Sequence, residues 1–354
     1  MTSGGTVDVH GPGMTDEARP RVKLADIARQ AGVSTATVSK VLNGNTQVAA
    51  ETRERVQALL AEHRYLRRRA RPEGGTGLID LVINELDSPW SMEIVRGVEE
   101  VAHAAKVGMV VSAVHGRTAD TRMWLETLGS RATDGVILAV TALAKGQRRQ
   151  LDALGVPIVL VDPVGLPEPG IPAVGATNWA GGMAATEHLL SLGHRRIGMI
   201  AGPRDILCSR ARVDGYRAAL EGAAIGFDPE LLHYGDFQHE SGFLGAQRLL
   251  DLADPPTAVF AASDLQSWGV YEAARRRGLR IGTDLSVVGF DDLPTSAWAC
   301  PPLTTVRQPL ADMAGMAARI LLQGAEVLMP GSMRIELSTT LVVRDSTGPA
   351  PVSG

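Results

Sequence analysis

The sequence predicts a small helical head followed by a larger α/β core that is built as two lobes around parallel sheets. Residues 23–48 repeat apolar side chains at helical spacing around one tight turn. Beyond residue 77, buried strands alternate with amphipathic helices, a rhythm typical of parallel sheets. Between these regions, residues 71–77 contain Pro72 and three glycines, which end a helix and loosen the chain. We therefore place a domain boundary there.

The head begins with two short helices joined by a turn. Apolar side chains within residues 24–31 fall at i, i+3, i+4 and i+7, and Gly32 ends this helix. Ser34 is the expected N-cap of the second helix, whose apolar stripe lies within residues 38–42. A third helix, from about residue 50 to residue 65, is expected to cover the first two.

The exposed face of the second helix is predicted to read DNA. Thr35, Ala36 and Lys40 are small or polar, so the backbone can approach the major groove closely. A generic helical hairpin is the alternative interpretation. The candidate DNA-binding residues are Lys23, Ser34, Thr35, Ala36, Thr37, Ser39, Lys40, Asn43, Arg67, Arg68 and Arg69.

The charge of the chain is divided unevenly. The formal net charge is −4, yet residues 19–72 carry twelve Lys and Arg against four Asp and Glu. The N-terminal region that holds the helical head is therefore the part of the chain expected to bind a polyanion. The arginine run at residues 67–71 is expected to contact phosphates, although such a run can also be a solvated linker.

The core is expected to contain a series of buried strands with helices between them, including a helix at residues 92–106. Two doubly wound lobes that face each other across a cleft account for this number of strands and helices. The side chains that bind a ligand are then expected at the carboxyl ends of the strands. The expected strands are residues 78–84, 108–114, 135–140, 157–162, 196–201, 258–262 and 286–291.

Several classes of protein are disfavoured by what the sequence lacks. No apolar run reaches the roughly 20 residues of a membrane span, and the N-terminus has no secretion signal, so we expect a cytoplasmic protein. Cys208, Cys300 and the eight histidines show no metal-ligand spacing, so no metal or other cofactor is expected. A phosphate-binding loop, a nucleophile elbow and a dinucleotide-binding glycine motif are all missing, which argues against an enzyme.

From about Val22 to Arg344 the chain resembles the lactose-repressor/galactose-repressor family of bacterial transcription factors. That family has a DNA-binding head, a hinge and a core like periplasmic sugar-binding proteins. The resemblance implies a homodimer that reads both halves of a pseudo-palindromic operator and binds an effector between the lobes. The stretches that carry it are residues 24–44, 187–197, 201–203, 286–292 and 302–306.

This layout gives expected boundaries along the whole chain. Lobe 1 comprises about residues 78–174 and 305–330, and lobe 2 about residues 175–304 and 331–344, with crossovers near Val174 and Thr305. The remaining parts are a disordered N-terminal tail at 1–20, the helix-turn-helix head at 21–66, an Arg-rich hinge at 67–77 and a disordered tail at 345–354. No heptads follow Arg344, so a tetramerising coiled coil is not expected.

The resemblance also implies an effector site. Asp291 and Arg212 match effector-contacting positions of the family, and carboxylate and guanidinium groups suit the vicinal hydroxyls of sugars. Phe237 and Trp90 are candidate rings for the apolar face of a sugar, with a core aromatic as the alternative. Asp162 ends a strand, where a turn residue is the alternative. The candidate set is Asn84, Trp90, Asp162, Arg212, Phe237, Ser263, Asp291 and Gln308.

Two stretches depart from the family pattern. Ser263-Asp264 stands where the family commonly has Asn-Asp, so the effector geometry is expected to differ. Residues 66–72 replace the usual hinge helix and its leucine, which wedges into the minor groove. DNA binding is therefore expected to be more electrostatic and less dependent on bending.

The resulting prediction is a repressor of a carbohydrate-utilisation operon that a small sugar controls. Whether the sugar induces or co-represses is left open. The alternative is a cytoplasmic sugar-binding receptor without a role on DNA, against which the basic head argues.

Overall fold

The computed structural model describes residues 24–42, 48–62, 76–114, 121–130, 132–139, 151, 153, 155–165, 170–324 and 334–351. The chain forms two units, residues 1–68 and residues 69–354.

The first unit contains three helices around a small core. They are α1 (Leu24–Ala31), α2 (Thr35–Leu42) and α3 (Ala50–Glu62). Gly32 turns the chain at φ +66°, which suits glycine, and the Ser34 hydroxyl accepts a hydrogen bond from the Thr37 amide at 3.1 Å. Ile27, Val38 and Val56 are fully buried between the helices. The predicted turn and cap are thus confirmed, while the last residues expected in the third helix lie outside the described ranges.

The second unit begins with a six-stranded sheet whose paired strands all run parallel. The strands are β1 (Leu78–Ile83), β2 (Gly108–Ala113), β3 (Val136–Ala139), β4 (Ile158–Val161), β5 (Ala173–Ala176) and β11 (Arg334–Leu337). Their order in the sheet is β11-β5-β4-β3-β1-β2. The helices α4 (Pro89–Ala104), α5 (Thr121–Ser130) and α10 (Leu310–Gln323) accompany this sheet. We call this part lobe 1.

A second six-stranded sheet forms lobe 2. Its strands are β6 (Ile197–Ala201), β7 (Leu232–Tyr234), β8 (Ala258–Ala261), β9 (Ser286–Asp291), β10 (Thr304–Arg307) and β12 (Thr340–Val342). Their order in the sheet is β12-β10-β9-β8-β6-β7. Only β12 is antiparallel to its neighbour in this sheet. The helices are α6 (Asn178–Ser191), α7 (Leu207–Gly222), α8 (His239–Leu250) and α9 (Asp264–Arg276), with short 3-10 helices at Pro229–Leu231 and Pro294–Ala297.

The chain passes between the sheets three times, after β5, after β10 and between β11 and β12. The first two passages lie slightly later than the expected crossovers near Val174 and Thr305. The expectation that all of residues 331–344 lie in lobe 2 is wrong, because β11 pairs with β5 and sets Ile335 beside Val174. Without β11, the backbone of β5 would be an open sheet edge, which folded proteins usually cover.

The expectation of a disordered C-terminal tail is also wrong for residues 345–351. Ser346 is fully buried, and its hydroxyl accepts from the Thr304 amide at 2.8 Å and donates to the Val287 carbonyl at 2.6 Å. Further along, the Ala350 amide donates to the Leu192 carbonyl at 2.9 Å. Small polar composition suggested disorder, but these side chains are short enough to satisfy strand and helix-end backbone groups directly.

A buried histidine joins this tail to lobe 2. The His194 ring is 1% exposed, with Nδ1 2.8 Å from the Thr257 hydroxyl and Nε2 2.9 Å from the Ser286 hydroxyl and 3.1 Å from the Gly348 carbonyl. Burial lowers the pKa of His194 below its ordinary value of 6.5. The folded state therefore favours the neutral ring.

We expect His194 to lower the free energy of unfolding as the pH is lowered from about 7.5 to about 5, because the unfolded chain takes up the proton first. The buried carboxyls of Asp162, Asp264 and Asp291, whose pKa values are raised, contribute with the opposite sign. Replacing His194 by Gln should reduce this pH dependence, as measured by urea unfolding at several pH values. It should not remove it, since burial also lowers the pKa of His188 and His233. An unchanged pH dependence in the variant would contradict the assignment to His194.

Candidate functional site

All eight residues predicted for the effector site line one cavity of about 160 Å³ between the two lobes. Both sheets contribute the carboxyl ends of their strands. Asn84 follows β1 and Asp162 follows β4, while Asp291 ends β9 and Gln308 follows β10. Side chains far apart in sequence meet here because parallel strands present their carboxyl ends at the same edge.

Arg212 is held rigidly at the base of the cavity. Its side chain is 3% exposed, Nε donates to the Asn178 amide oxygen at 2.8 Å, and Nη1 donates to the Ala262 carbonyl. The guanidinium also lies over the Phe290 ring, 3.7 Å from its centroid. For Nη2 the described residues show no hydrogen-bond partner, so this group can donate to a ligand.

Asp291 and Gln308 form a buried polar pair beside Arg212. The Gln308 amide nitrogen donates to the Asp291 carboxylate at 2.6 Å. Burial and the nearby Asp264 carboxylate raise the pKa of Asp291, while Arg212 acts in the opposite direction. Within the described part of the chain, the Gln308 amide oxygen is buried without a hydrogen-bond partner. A ligand hydroxyl that donates to this oxygen would satisfy it.

Asp162 lies on the lobe 1 side of the same cavity. Its backbone has φ +48°, a left-handed conformation that Asp tolerates better than most residues. Burial raises the pKa of Asp162, whereas Arg212 and a hydrogen bond from the Cys208 thiol lower it. Burial also raises the pKa of Cys208 to about 12, so the thiol stays protonated and acts as a donor.

Phe237 presents an aromatic ring to the cavity from a strained backbone with φ +71°. The ring fits because Gly202 has no side chain, since a Cβ there would lie 2.0 Å from the Phe237 Cζ atom. The Ser263 hydroxyl donates to the Phe237 carbonyl at 2.7 Å and caps α9 by accepting from the Gln266 amide. The Ser263 hydroxyl is therefore used to position Phe237 and to cap α9. The Asn that the family commonly has at this position is longer and carries an amide group with both a donor and an acceptor.

Trp90 is half-buried and also packs against the core of lobe 1.

Two hydrogen bonds that join the lobes were not predicted from the sequence. The Gln238 amide nitrogen donates to the Glu85 carboxylate at 3.0 Å, and both residues line the cavity. The Leu207 amide donates to the Val164 carbonyl at 2.6 Å. No motif marks these pairs, because each joins positions that only the folded lobes bring together.

Cys208 was also missed, because its place in the sequence shows no metal-ligand spacing. It is 7% exposed and lines the cavity one helical turn before Arg212. The i, i+4 spacing places both side chains on one face of α7. This spacing was the signal that could have identified Cys208.

The head presents the expected polar face. Thr35, Ala36 and Lys40 are exposed, and Thr37 is half-buried with its hydroxyl 2.9 Å from that of Ser34. Ser39 lies in α2 on the same stretch. The other predicted DNA-binding residues, Lys23, Asn43, Arg67, Arg68 and Arg69, lie outside the described ranges.

Two kinds of feature are absent from the described ranges. No helix among them is both long and apolar enough to cross a membrane. No group of three or more His, Cys, Asp or Glu side chains in that part of the chain could hold a metal ion.

Comparisons with known proteins agree with this geometry. Residues 23–68 match the family "Bacterial regulatory proteins, lacI family", and residues 186–347 match "Periplasmic binding protein-like domain". The "HTH-type transcriptional regulator CelR" of Thermobifida fusca is 36% identical, over 93% of this chain and 99% of its own length.

Two solved structures are similar over nearly the whole chain. A "transcriptional regulator CelR-cellobiose complex" has a TM-score of 0.70 at 36% identity and covers 92% of this chain and 100% of its own. The lac repressor dimer bound to operator and the anti-inducer ONPF has a TM-score of 0.66 at 29% identity and covers 93% of this chain and 100% of its own.

Proposed function

Because the chain belongs to the LacI family of bacterial regulatory proteins, we propose that it represses a carbohydrate-utilisation operon under the control of a small sugar. The protein is a transcriptional regulator and not an enzyme. It acts in the cytoplasm as a homodimer, whose two heads bind the two halves of a pseudo-palindromic operator. The relatives support this, since one solved structure is a repressor dimer on its operator and another is a complex with cellobiose.

The cavity between the lobes is the observation that carries the sugar proposal. Its walls combine carboxylates, among them Asp162 and Asp291, with the fixed guanidinium of Arg212 and the ring of Phe237. Vicinal hydroxyls can donate to a carboxylate and accept from a guanidinium, and the C–H face of a sugar ring can lie against Phe237. The unpartnered amide oxygen of Gln308 provides a further acceptor.

The position of this cavity gives a sugar a way to control the protein. The cavity lies between two lobes, and the chain passes from one lobe to the other three times. A sugar that contacts Asp162 from lobe 1 and Asp291 from lobe 2 favours whichever arrangement of the lobes lets it reach both. A ligand shifts such an equilibrium only by its difference in affinity for the two arrangements. Groups from both lobes therefore give the sugar a means to act on the repressor.

A thermal-shift screen against a panel of sugars tests the proposal. A true effector at a hundred times its dissociation constant adds about 2.7 kcal/mol to the free energy of unfolding, which raises the melting temperature clearly. The same sugar should change the affinity for operator fragments selected from genomic DNA. Failure to retain any genomic fragment would instead favour the sugar-binding receptor without a role on DNA.

Base readout by α2 gives a separate prediction. Replacing Lys40 by Ala should relax the preference for operator sequence and cost about 1–3 kcal/mol if the ammonium meets a guanine edge. Binding to a library of operator variants measures both effects. The exposed Arg55, which pairs with Glu51 on α3, provides a matched control when it is replaced by Ala. A uniform loss over all sequences would make Lys40 a phosphate contact.

A further inference from the structure

A second cavity adjoins the one between the lobes. Its volume is about 260 Å³, and it shares Asp162 and Cys208 with the first cavity. We call it the side cavity. Its other walls come from β5, the first turn of α6, α7 and β11, and include Gly175, Asn178, Trp179, Ala211, Arg334 and Glu336.

The volumes of the two cavities indicate the size of the ligand. Pockets for small molecules usually measure about 300–1,000 Å³. The interlobe cavity alone, at about 160 Å³, is smaller than this, whereas the two cavities together exceed the lower limit. Their shared wall at Asp162 and Cys208 makes them neighbours. A ligand that fills both is therefore longer than one compact ring.

The side cavity offers the groups that a second sugar ring needs. Trp179 is 48% exposed, a large apolar ring at the cavity edge that can stack on a sugar face. Arg334 and Glu336 form an ion pair beside it, with donors and acceptors for hydroxyls. The remaining surface is small, with Gly175, Ala176, Ala180 and Ala211 leaving room for the ring.

Asp162 connects the two sites electrostatically. The guanidinium of Arg212 on the interlobe side and that of Arg334 on the side-cavity side both stabilise its charged form. Asn178 also lies at the junction, since it lines the side cavity while its amide oxygen accepts from Arg212. Polar groups therefore line both cavities around Asp162.

We propose that the effector is an oligosaccharide of at least two sugar units, the first between the lobes and the second in the side cavity against Trp179. This inference rests on the proposed control by a sugar. The glycosidic linkage lies at Asp162 and Cys208. A monosaccharide fills only the interlobe part and binds more weakly.

The test uses the full chain and isothermal titration calorimetry with matched mono-, di- and trisaccharides of the glucose, xylose and galactose series, including glucose and cellobiose. We expect the best disaccharide to bind about tenfold or more tightly than the best monosaccharide. Gly175→Leu should remove this difference and leave monosaccharide affinity within about twofold. A Cβ on Gly175 would meet no heavy atom within 4 Å, so the new side chain projects into open space.

Gly222→Leu is the matched control, because a Cβ there also meets nothing within 4 Å and Gly222 does not line the cavity. It should bind like the wild type. Trp179→Ala provides a second variant that changes an exposed side chain and should weaken disaccharide binding about tenfold. The melting temperature of each variant without sugar checks its folding.

Two results would overturn the inference in distinguishable ways. If the wild type binds a monosaccharide as tightly as every oligosaccharide, and Trp179→Ala changes neither, the side cavity is not a subsite, while control by a sugar stands. If no sugar in the series binds at all, the proposed function and the inference both fail.

Discussion

Replacing Asp291 by Asn is expected to abolish the response to the sugar while leaving operator affinity within a few-fold of the wild type. The carboxylate is 6% exposed, lines the interlobe cavity and already accepts one hydrogen bond from Gln308. Two hydroxyl hydrogen bonds to a carboxylate contribute about 1.5–3 kcal/mol each. Their loss should weaken sugar binding by at least about a hundredfold.

The pH dependence of sugar affinity gives this prediction a second measurement. Burial and Asp264 raise the pKa of Asp291, and sugar hydroxyls donate to its ionised form. Affinity in the wild type should therefore fall as the pH is lowered, because the carboxylate must lose its proton to bind. Asp291→Asn should lose that part of the pH dependence, as measured by calorimetry at several pH values.

Asp284→Asn is the matched control, since this carboxylate is paired with Arg280 at the surface of lobe 2. It should respond to the sugar like the wild type. Operator affinity is measured by fluorescence anisotropy with and without sugar. A collapse of operator binding in Asp291→Asn would show that this residue is structural and not part of the effector site.

Part of the candidate effector site was predictable because Asn84, Asp162 and Asp291 follow or end strands that are recognisable in the sequence. Asp291 and Asp162 end long apolar runs, and parallel strands bring such ends together whatever their distance along the chain. Arg212 required the family resemblance as well. All eight predicted residues line one cavity, although Gln308 follows β10, a strand that was not predicted.

What the sequence did not predict depends on short elements and long-range pairing. The five strands that were missed, β5, β7, β10, β11 and β12, span three or four residues each. They lack the continuous run of four apolar residues that marks the equally short β3, β4 and β8. The placement of β11 is decided by the open edge of β5, which is distant in sequence. Packing of the tail through Ser346 likewise depends on partners that local composition does not reveal.

The side cavity could not be predicted for the same reason. Gly175, Trp179 and Arg334 come from a strand, a helix and a distant strand, and no motif links them. Trp179 in particular looks like any aromatic residue at the start of an amphipathic helix. Only the folded structure shows that Trp179 is half exposed at the edge of the side cavity.

Replacing Arg67, Arg68, Arg69 and Arg71 by Gln is expected to remove much of the affinity for DNA. These residues lie outside the described ranges, so this prediction comes from their charge and their place after the head. Each neutralised phosphate contributes about −0.9 to the slope of log affinity against log salt. In a dimer both linkers count, so the slope should flatten by several units. Fluorescence anisotropy over a range of salt concentrations measures it.

Specific and non-specific DNA should weaken alike, and the ranking of operator sequences should change little, because phosphate contacts carry no base information. The matched control replaces Arg275, Arg276, Arg277 and Arg280 of lobe 2 by Gln, which removes the same charge from the core unit. That variant should keep most of the salt slope. If both variants lose the same part of the salt slope, the overall charge of the chain acts on DNA at long range. If neither variant loses any of the salt slope, the arginine run is a solvated tether. A loss confined to the linker variant makes electrostatic contact the replacement for the leucine wedge, whose absence the sequence predicts.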